Sequence, residues 1–192
     1  MPLNGLLGDW ALSYPLWEEI KRREPNQKDK LVAKEILYRL PLEQLNHPAV
    51  PGGTLRLLTE QDFPQWKALR LGYLEGEGLP QDLSPEQFQE SYLRQVRERT
   101  FWGLFLEDRL ISMAGLNTQY ESVGQVGGVY TVPSERKKSY SKQVMKKLMD
   151  DCQSLHRLKK LILFTGEGNL AARAVYEGLG FERIGHYGMF FR

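Results

Sequence analysis

The sequence predicts an α/β protein in which helices flank a mixed, mainly antiparallel central sheet. Strand-like and helix-like segments alternate along most of the chain, and one pair of strands is joined by a tight turn. The 192 residues suit one domain with an extension, and the single cysteine argues against a disulfide-stapled secreted scaffold. No segment reaches the roughly 18 apolar residues that a membrane helix needs, so we expect a cytoplasmic protein with no membrane partner.

Residues 1–53 are predicted to form an N-terminal helical extension and linker. One helix is expected over Gly8–Arg23, interrupted at Pro15, and a second over Gln27–Leu40, where apolar residues recur at helical spacing. The Pro- and Gly-rich stretch Pro41–Gly53 indicates a connector. Because two helices of this size bury little surface alone, we expect them to pack on the main domain, on a partner or on sequence further upstream.

Residues 54–192 are predicted to form the main domain, which opens with a strand at Thr54–Leu58 and a helix at Glu60–Leu74. A second helix should begin at Pro85, because Ser84 is a good N-cap residue and proline suits the first helical position. Three strands follow, of which the first two form a hairpin; they are Phe101–Leu106, Leu110–Asn117 and Val123–Val132.

The second half of this domain alternates between helix and strand. A basic turn over Pro133–Tyr140 leads into a helix at Ser141–His156, which is followed by a strand at Leu161–Thr165. A short helix at Asn169–Gly178 comes next, and the tail at 183–191 is expected to hold a pair of short strands. Cys152 shares an apolar helix face with its neighbours, so a core role is expected rather than a nucleophile.

Positive charge is concentrated in one stretch of the chain. The net charge is +2 overall, whereas residues 135–160 alone carry nine Lys or Arg against three Asp or Glu, a net +6. A solvated helix face accounts for the cations in the later part of this stretch. At Arg136–Ser141, cations, small residues and a helix start coincide, and this combination predicts an anion-binding turn. RNA is the lesser alternative, because no recognisable module accompanies the charge, and no nucleic-acid partner is expected.

The turn Arg136–Ser141 reads Arg-Lys-Lys-Ser-Tyr-Ser and resembles the signature of the GNAT superfamily of acetyl-CoA-dependent N-acetyltransferases. In that signature, Arg or Gln is followed by two residues, Gly, one residue, and Gly or Ala, between the fourth strand and the next helix. A second similarity lies after the predicted fifth strand of the domain, at Asn169, Ala172, Tyr176 and Leu179-Gly180-Phe181. The resemblance covers roughly residues 54–191, and it departs from the signature by placing Ser at both small positions.

The resemblance implies that the chain binds acetyl-CoA as a co-substrate, without a metal, and acetylates a primary amine by direct attack. The arm of the coenzyme would lie along Tyr130, Thr131 and Val132. Its diphosphate would bind the turn formed by Arg136, Lys137, Lys138, Ser139, Tyr140 and Ser141. Glycine at position 139 would allow a positive φ at little cost. Serine leaves two outcomes open, an additional hydroxyl donor or a weakened site.

The resemblance also implies catalytic roles. Tyr176 would protonate the leaving thiolate, although a packed helical tyrosine is the plainer interpretation. A backbone N–H near Val129 or Tyr130 would stabilise the oxyanion. Asn169 would contact the coenzyme, cap its helix, or do both. Tyr120 and Glu121 are candidate general bases, with a surface turn and a water chain relayed by the backbone as the alternatives.

Two functional readings stay open on the sequence. The first is an acetyl-CoA-dependent N-acetyltransferase with an unidentified amine acceptor, for which the loops Gly72–Ser84 and Asn117–Gly124 would line the acceptor pocket. The second is a non-catalytic CoA-binding or protein-interaction module with a degenerate GNAT fold, suggested by the two serines and the missing base. The oligomeric state, including a homodimer, stays open as well.

Overall fold

A computed structural model describes residues 3–42, 53–79 and 83–192, and most of the predicted connector 41–53 lies outside them. The described strands are β1 (Gly5–Asp9), β2 (Leu31–Pro41), β3 (Thr54–Leu57), β4 (Phe101–Leu106), β5 (Arg109–Tyr120), β6 (Val123–Thr131), β7 (Lys160–Gly166) and β8 (Glu182–Phe191). The helices are α1 (Trp10–Arg23), α2 (Phe63–Gly76), α3 (Pro85–Arg97), α4 (Tyr140–Ser154) and α5 (Leu170–Glu177), with 3₁₀ turns at Glu60–Asp62 and Pro133–Glu135.

The chain divides into two compact units, one of residues 1–40 and 162–192 and the other of residues 41–161. In the first unit the strands are ordered β1-β8-β2-β7, and β8 pairs antiparallel with both β1 and β2. In the second unit the order is β6-β5-β4-β3, and each adjacent pair is antiparallel. The predicted class, helices with a mainly antiparallel sheet and an N-terminal helix, is therefore confirmed.

The prediction of a second N-terminal helix over Gln27–Leu40 is wrong, because Leu31–Pro41 is strand β2. Its apolar residues satisfy two periods at once. Apolar residues recur here at helical spacing, but Ile36, Tyr38 and Leu40 also occupy alternate positions, as in a strand. These three are the buried side chains of β2. Pairing with β8 from Leu31 to Arg39 decides between the two periods, because tertiary contacts override weak local preference.

Further departures in the first unit include strand β1, which was not predicted, the start and continuity of α1, and the tail at 183–191. Helix α1 begins at Trp10 because Asp9 caps it, with the carboxylate accepting from the Ala11 N–H at 2.9 Å. The expected interruption at Pro15 is absent, and the helix runs through that residue to Arg23. The expected pair of short tail strands is one ten-residue strand, β8, because it has a partner strand on each side.

In the second unit the elements follow the sequence prediction closely. Ser84 caps α3 in a reciprocal capping box with Gln87, as the Ser-Pro pattern predicts. Glu107 and Asp108 both adopt positive φ in the two-residue turn between β4 and β5. An aromatic cluster that includes Trp66, Tyr92 and Phe101 joins α2 and α3 to the sheet.

Helix α4 is fixed to β4 by a buried polar contact. The Trp102 indole Nε1 donates to Asp151 Oδ2 at 2.7 Å, and Lys147 Nζ lies 2.7 Å from Asp151 Oδ1. Cys152 is fully buried beside them, and burial raises the pKa of its thiol to about 12. A thiol in that state is not a nucleophile at neutral pH, so the expected core role is confirmed. No helix in the described part of the chain is both long enough and apolar enough to cross a membrane.

Asp62 and Arg56 form an ion pair that makes stability depend on pH. Burial acts to raise the pKa of Asp62, but hydrogen bonds from Arg56 and Thr59 outweigh it and hold that pKa below its ordinary value. Because the pKa of Asp62 is lower in the folded protein than in the unfolded chain, the ion pair stabilises the fold fully at pH values above about 4, the pKa of an unfolded Asp. This stabilisation is lost as the pH falls through the folded-state pKa.

We therefore expect Asp62→Asn to lower the free energy of unfolding by about 2 kcal/mol at pH 7, a value reduced for the partial exposure of Arg56. The difference from the unmodified protein should shrink between pH 4 and pH 2. Urea unfolding at stepped pH measures both quantities. A difference that is constant across this range would contradict the assignment.

Candidate active site

The predicted anion-binding turn follows a strand end that is firmly held in the second unit. The Val132 N–H donates to the Ile111 carbonyl at 2.9 Å, just after β6 ends at Thr131. The buried Ser112 hydroxyl lies 2.7 Å from Thr131 Oγ1 and donates to the Tyr130 carbonyl at 3.1 Å. These contacts give the start of the turn a fixed position relative to β5.

The backbone between β6 and α4 leaves amide donors unpaired. Lys137 and Ser139 both adopt left-handed conformations, with φ of 65° and 62°, and Ser139 is the N-cap of α4 without a side-chain capping bond. The first helical bond runs from the Gln143 N–H to the Ser139 carbonyl at 3.2 Å. Among the residues that the structure describes, no acceptor pairs with the amides of Tyr140, Ser141 and Lys142. This arrangement fits an anion.

The cations of the turn are more constrained than the sequence suggested. Arg136 Nε donates to the Thr131 carbonyl at 3.1 Å, and its guanidinium lies 5.4 Å from the centre of the Tyr130 ring. Lys138 Nζ lies 2.8 Å from a carboxylate oxygen of Glu135, whose other oxygen lies 3.1 Å from Arg109 Nη2. The hydrogen bond from Lys138 holds the pKa of Glu135 below its ordinary value. The positive charge available at the turn is therefore smaller than the number of its Lys and Arg residues indicates.

An open polar cleft adjoins the turn on the side of Glu135. Its volume is about 520 Å³, and it is lined by Leu106, Glu107, Arg109, Glu135, Lys138 and Tyr140. Arg109 and Lys138 both form ion pairs with Glu135, so the walls of the cleft are polar but nearly balanced in charge.

The left-handed conformation of Ser139 predicts a simple stabilising change. A non-glycine residue pays about 1 kcal/mol for this conformation, whereas glycine adopts it freely. We expect Ser139→Gly to raise the free energy of unfolding by about 0.5–1 kcal/mol, measured by urea denaturation. Ser134→Gly, in the preceding 3₁₀ turn, is the control and should lower it. A loss of stability in both variants would contradict this account of the turn.

Strand β6 contains a bulge before it reaches the turn. Gly115 is opposite Gly127 and Met113 is opposite Tyr130, so Gly128 and Val129 together face the single residue between Met113 and Gly115. Gly128 has a φ of 62°, which glycine tolerates and which turns the backbone out of the ladder. The resemblance implies an oxyanion donor near Val129 or Tyr130, and Val129 is one of the two residues of this bulge.

Helix α2 packs directly over this bulge. A β-carbon on Gly72 would lie 2.6 Å from the Tyr130 hydroxyl, so the tip of the Tyr130 side chain lies against the helix where residue 72 has no side chain. A β-carbon on Gly128 would lie 3.1 Å from the Phe101 ring and 3.5 Å from Nη1 of Arg70. The sequence does not reveal Arg70 or the bulge, because helical spacing does not show which polar side chain of α2 meets β6.

Glu121 does not come together with the turn or the bulge. It is exposed, adopts a φ of 50° in the tight turn between β5 and β6, and lies at the opposite end of β6 from Tyr130. The length of the strand separates the two residues by on the order of 25 Å. The surface-turn alternative for Glu121 fits this placement.

Asn169 and Tyr176 belong to helix α5 of the first unit. The Asn169 side chain accepts from the Ala172 N–H at 3.1 Å, which confirms its capping role. The Tyr176 ring is buried, with its centre 6.2 Å from that of Tyr38 and 6.0 Å from that of Phe181. Tyr176 therefore has a packing role. A catalytic role as proton donor would depend on its hydroxyl group.

Nothing in residues 3–42, 53–79 and 83–192 gathers three or more His, Cys, Asp or Glu side chains in a way that would hold a metal ion.

Comparison with known proteins gives a consistent result. The model of the acetyltransferase (GNAT) family matches residues 62–181, and no curated protein matches the chain. Among solved structures, a GNAT-family acetyltransferase from Colwellia psychrerythraea has a TM-score of 0.65 at 11% identity, covering 99% of this chain and 66% of its own. A GCN5-related N-acetyltransferase from Kribbella flavida has a TM-score of 0.67 at 14% identity, covering 97% and 67%.

A third structure, a predicted acetyltransferase with acetyl-CoA from Clostridium acetobutylicum, has a TM-score of 0.58 at 15% identity, covering 69% of this chain and 91% of its own. At these identities the structures establish the shared fold. This chain spans about two thirds of the length of the Colwellia and Kribbella proteins.

Proposed function

This chain belongs to the GNAT acetyltransferase family, and from that premise we propose that it transfers the acetyl group of acetyl-CoA to a primary amine by direct attack. The observation that carries the proposal is the run of unpaired amides at the start of α4, next to the left-handed Ser139. Amides at a helix N-terminus suit a diphosphate, because they donate without needing desolvation of a charged side chain.

The residues of the turn fit the coenzyme in a specific way. The amides of Tyr140, Ser141 and Lys142 would hold the diphosphate, with Lys137 and Arg136 adding charge at its edge. The exposed Lys137 forms no ion pair among the described residues, so its charge is available to a ligand. The backbone of residues 130–132 would hold the arm, and acetyl-CoA itself supplies the activated thioester.

The bulge would supply the hydrogen-bond donor for the reaction, and the family resemblance assigns the proton donor to Tyr176. A backbone N–H near Val129 donates to the carbonyl oxygen as it gains charge. The amine nitrogen forms a bond to the acetyl carbon while the carbon–sulfur bond breaks, and the Tyr176 hydroxyl gives its proton to the departing sulfur. The amine proton passes to water, and the tyrosinate is reprotonated from solvent.

Proton removal from the amine does not require a side-chain base at the bulge. Because Glu121 lies at the far end of β6, we assign this step to water relayed by the β6 backbone rather than to that carboxylate. The rate should then rise with pH until the acceptor amine is neutral.

Two measurements on the unmodified protein test the proposal. Calorimetry should detect acetyl-CoA binding, and thiol release from acetyl-CoA across a panel of amines should exceed the uncatalysed rate. Absence of binding heat at millimolar acetyl-CoA would overturn the assignment of the turn.

A non-catalytic CoA-binding module is the second candidate, and the buried packing of Tyr176 against Tyr38 and Phe181 is the observation that favours it. Measurable binding of CoA with thiol release at the uncatalysed rate would select this candidate. A cytoplasmic location and a homodimer stay predictions.

A further inference from the structure

Arg70 is a half-buried cation, and the described residues supply no carboxylate that pairs with it. It lies on α2, its guanidinium is 5.1 Å from the centre of the Tyr73 ring, and burial lowers its pKa. Over the described ranges of the chain, no carboxylate forms an ion pair with it and no acceptor receives a hydrogen bond from it. Arg56 in the same unit shows the usual arrangement, with two hydrogen bonds of 2.6 and 2.8 Å to Asp62.

A guanidinium that is partly removed from water and has no paired carboxylate interacts strongly with a ligand that carries negative charge. The planar guanidinium group of arginine binds a carboxylate through two parallel hydrogen bonds. The position of Arg70 narrows the choice of ligand, because its Nη1 lies 3.5 Å from the site of a β-carbon on Gly128. The guanidinium therefore faces the bulge of β6, which is the reacting end of the proposed site and not its phosphate-binding end.

We propose that Arg70 binds the carboxylate of the acceptor and that the acceptor is an α-amino acid. This inference rests on the proposed function. In an α-amino acid the amine and the carboxylate are attached to the same carbon, so a guanidinium beside the bulge holds the amine beside the bulge as well. The same positive charge disfavours the ammonium form of the acceptor, which supplies more of the neutral nucleophile without a side-chain base.

The test measures thiol release with each of the twenty amino acids beside its primary amide, which keeps the amine and removes the negative charge. The unmodified protein should acetylate at least one amino acid with a kcat/KM at least tenfold above that of its amide. Arg70→Gln should raise the KM for that amino acid by about 10- to 100-fold and leave the KM for its amide unchanged. Arg70→Lys should retain part of the preference.

Lys67→Gln is the matched control, because it removes the same charge from an exposed position of the same helix. It should leave both substrates unchanged. Calorimetry with acetyl-CoA should give equal affinity for the Arg70 variants and the unmodified protein, and thermal unfolding should show that they are folded.

Several results would overturn the inference. Amides used as well as acids, equal loss on both substrates in Arg70→Gln, or weakened acetyl-CoA binding in that variant would each contradict carboxylate recognition. Acetylation of amides or simple amines alone would refute this inference and leave the proposed function standing. Acetyl-CoA binding with no acetylation of any amine would refute the proposed function, and the inference with it.

Discussion

Replacing Ser141 with aspartate should weaken acetyl-CoA binding by about 100-fold or more while stabilising the folded protein. A carboxylate in the first turn of α4 lies against the diphosphate that the unpaired amides would hold, and such a like-charge contact costs several kcal/mol. The same carboxylate interacts favourably with the helix dipole, worth about 0.5 kcal/mol. Calorimetry with acetyl-CoA and urea unfolding measure the two effects.

The opposite signs of these effects make the experiment decisive. A binding loss in a more stable protein cannot be attributed to misfolding. Gln87→Glu is the control, because it adds the same charge to the first turn of α3 and should leave acetyl-CoA affinity unchanged. Unchanged affinity in Ser141→Asp would show that the diphosphate does not bind at this turn.

Replacing Tyr176 with phenylalanine should lower kcat by about 100-fold or more and leave the affinity for acetyl-CoA unchanged. The ring is buried against Tyr38 and Phe181, and phenylalanine preserves that packing while removing only the hydroxyl. Loss of a general acid has an effect of this size when the leaving group needs a proton. Single-turnover thiol release separates this chemical step from product release.

Tyr38→Phe is the matched control for the tyrosine substitution. Its hydroxyl donates to a Glu177 carboxylate oxygen at 2.7 Å, so its removal should cost about 1 kcal/mol of stability without affecting kcat. A Tyr176→Phe enzyme with normal kcat would leave Tyr176 with its packing role alone, and equal kcat losses in both variants would indicate a structural cause.

The sequence predicted most of the second unit because its local signals agree with one another. Ser84 and Pro85 define the start of α3, and the pair Glu107-Asp108 marks the turn between β4 and β5. Failure came in β2, where the apolar residues fit helix and strand equally and the deciding partner, β8, lies some 150 residues away in the chain. Local pattern carries no information about such a partner.

The candidate site shows a similar division. The spacing of Arg136, Ser139 and Ser141 located the turn. The structure adds that the backbone at Ser139 is left-handed, which the sequence alone does not show. The pairing of Lys138 with Glu135 and the isolation of Arg70 depend on three-dimensional neighbours. Charge counts along a chain do not distinguish a neutralised cation from an available one.

The pairing of β8 with both β1 and β2 sets an order of events during synthesis on the ribosome. Residues 5–41 emerge before residues 182–191, so the strand edges of β1 and β2 that pair with β8 stay unpaired until β8 has been made. Until then the nascent protein carries exposed strand edges and apolar side chains such as Ile36, the features that chaperones recognise and that promote aggregation. The sheet of the first unit therefore cannot be completed before β8 has been made, and a chain stalled before residue 182 cannot complete it.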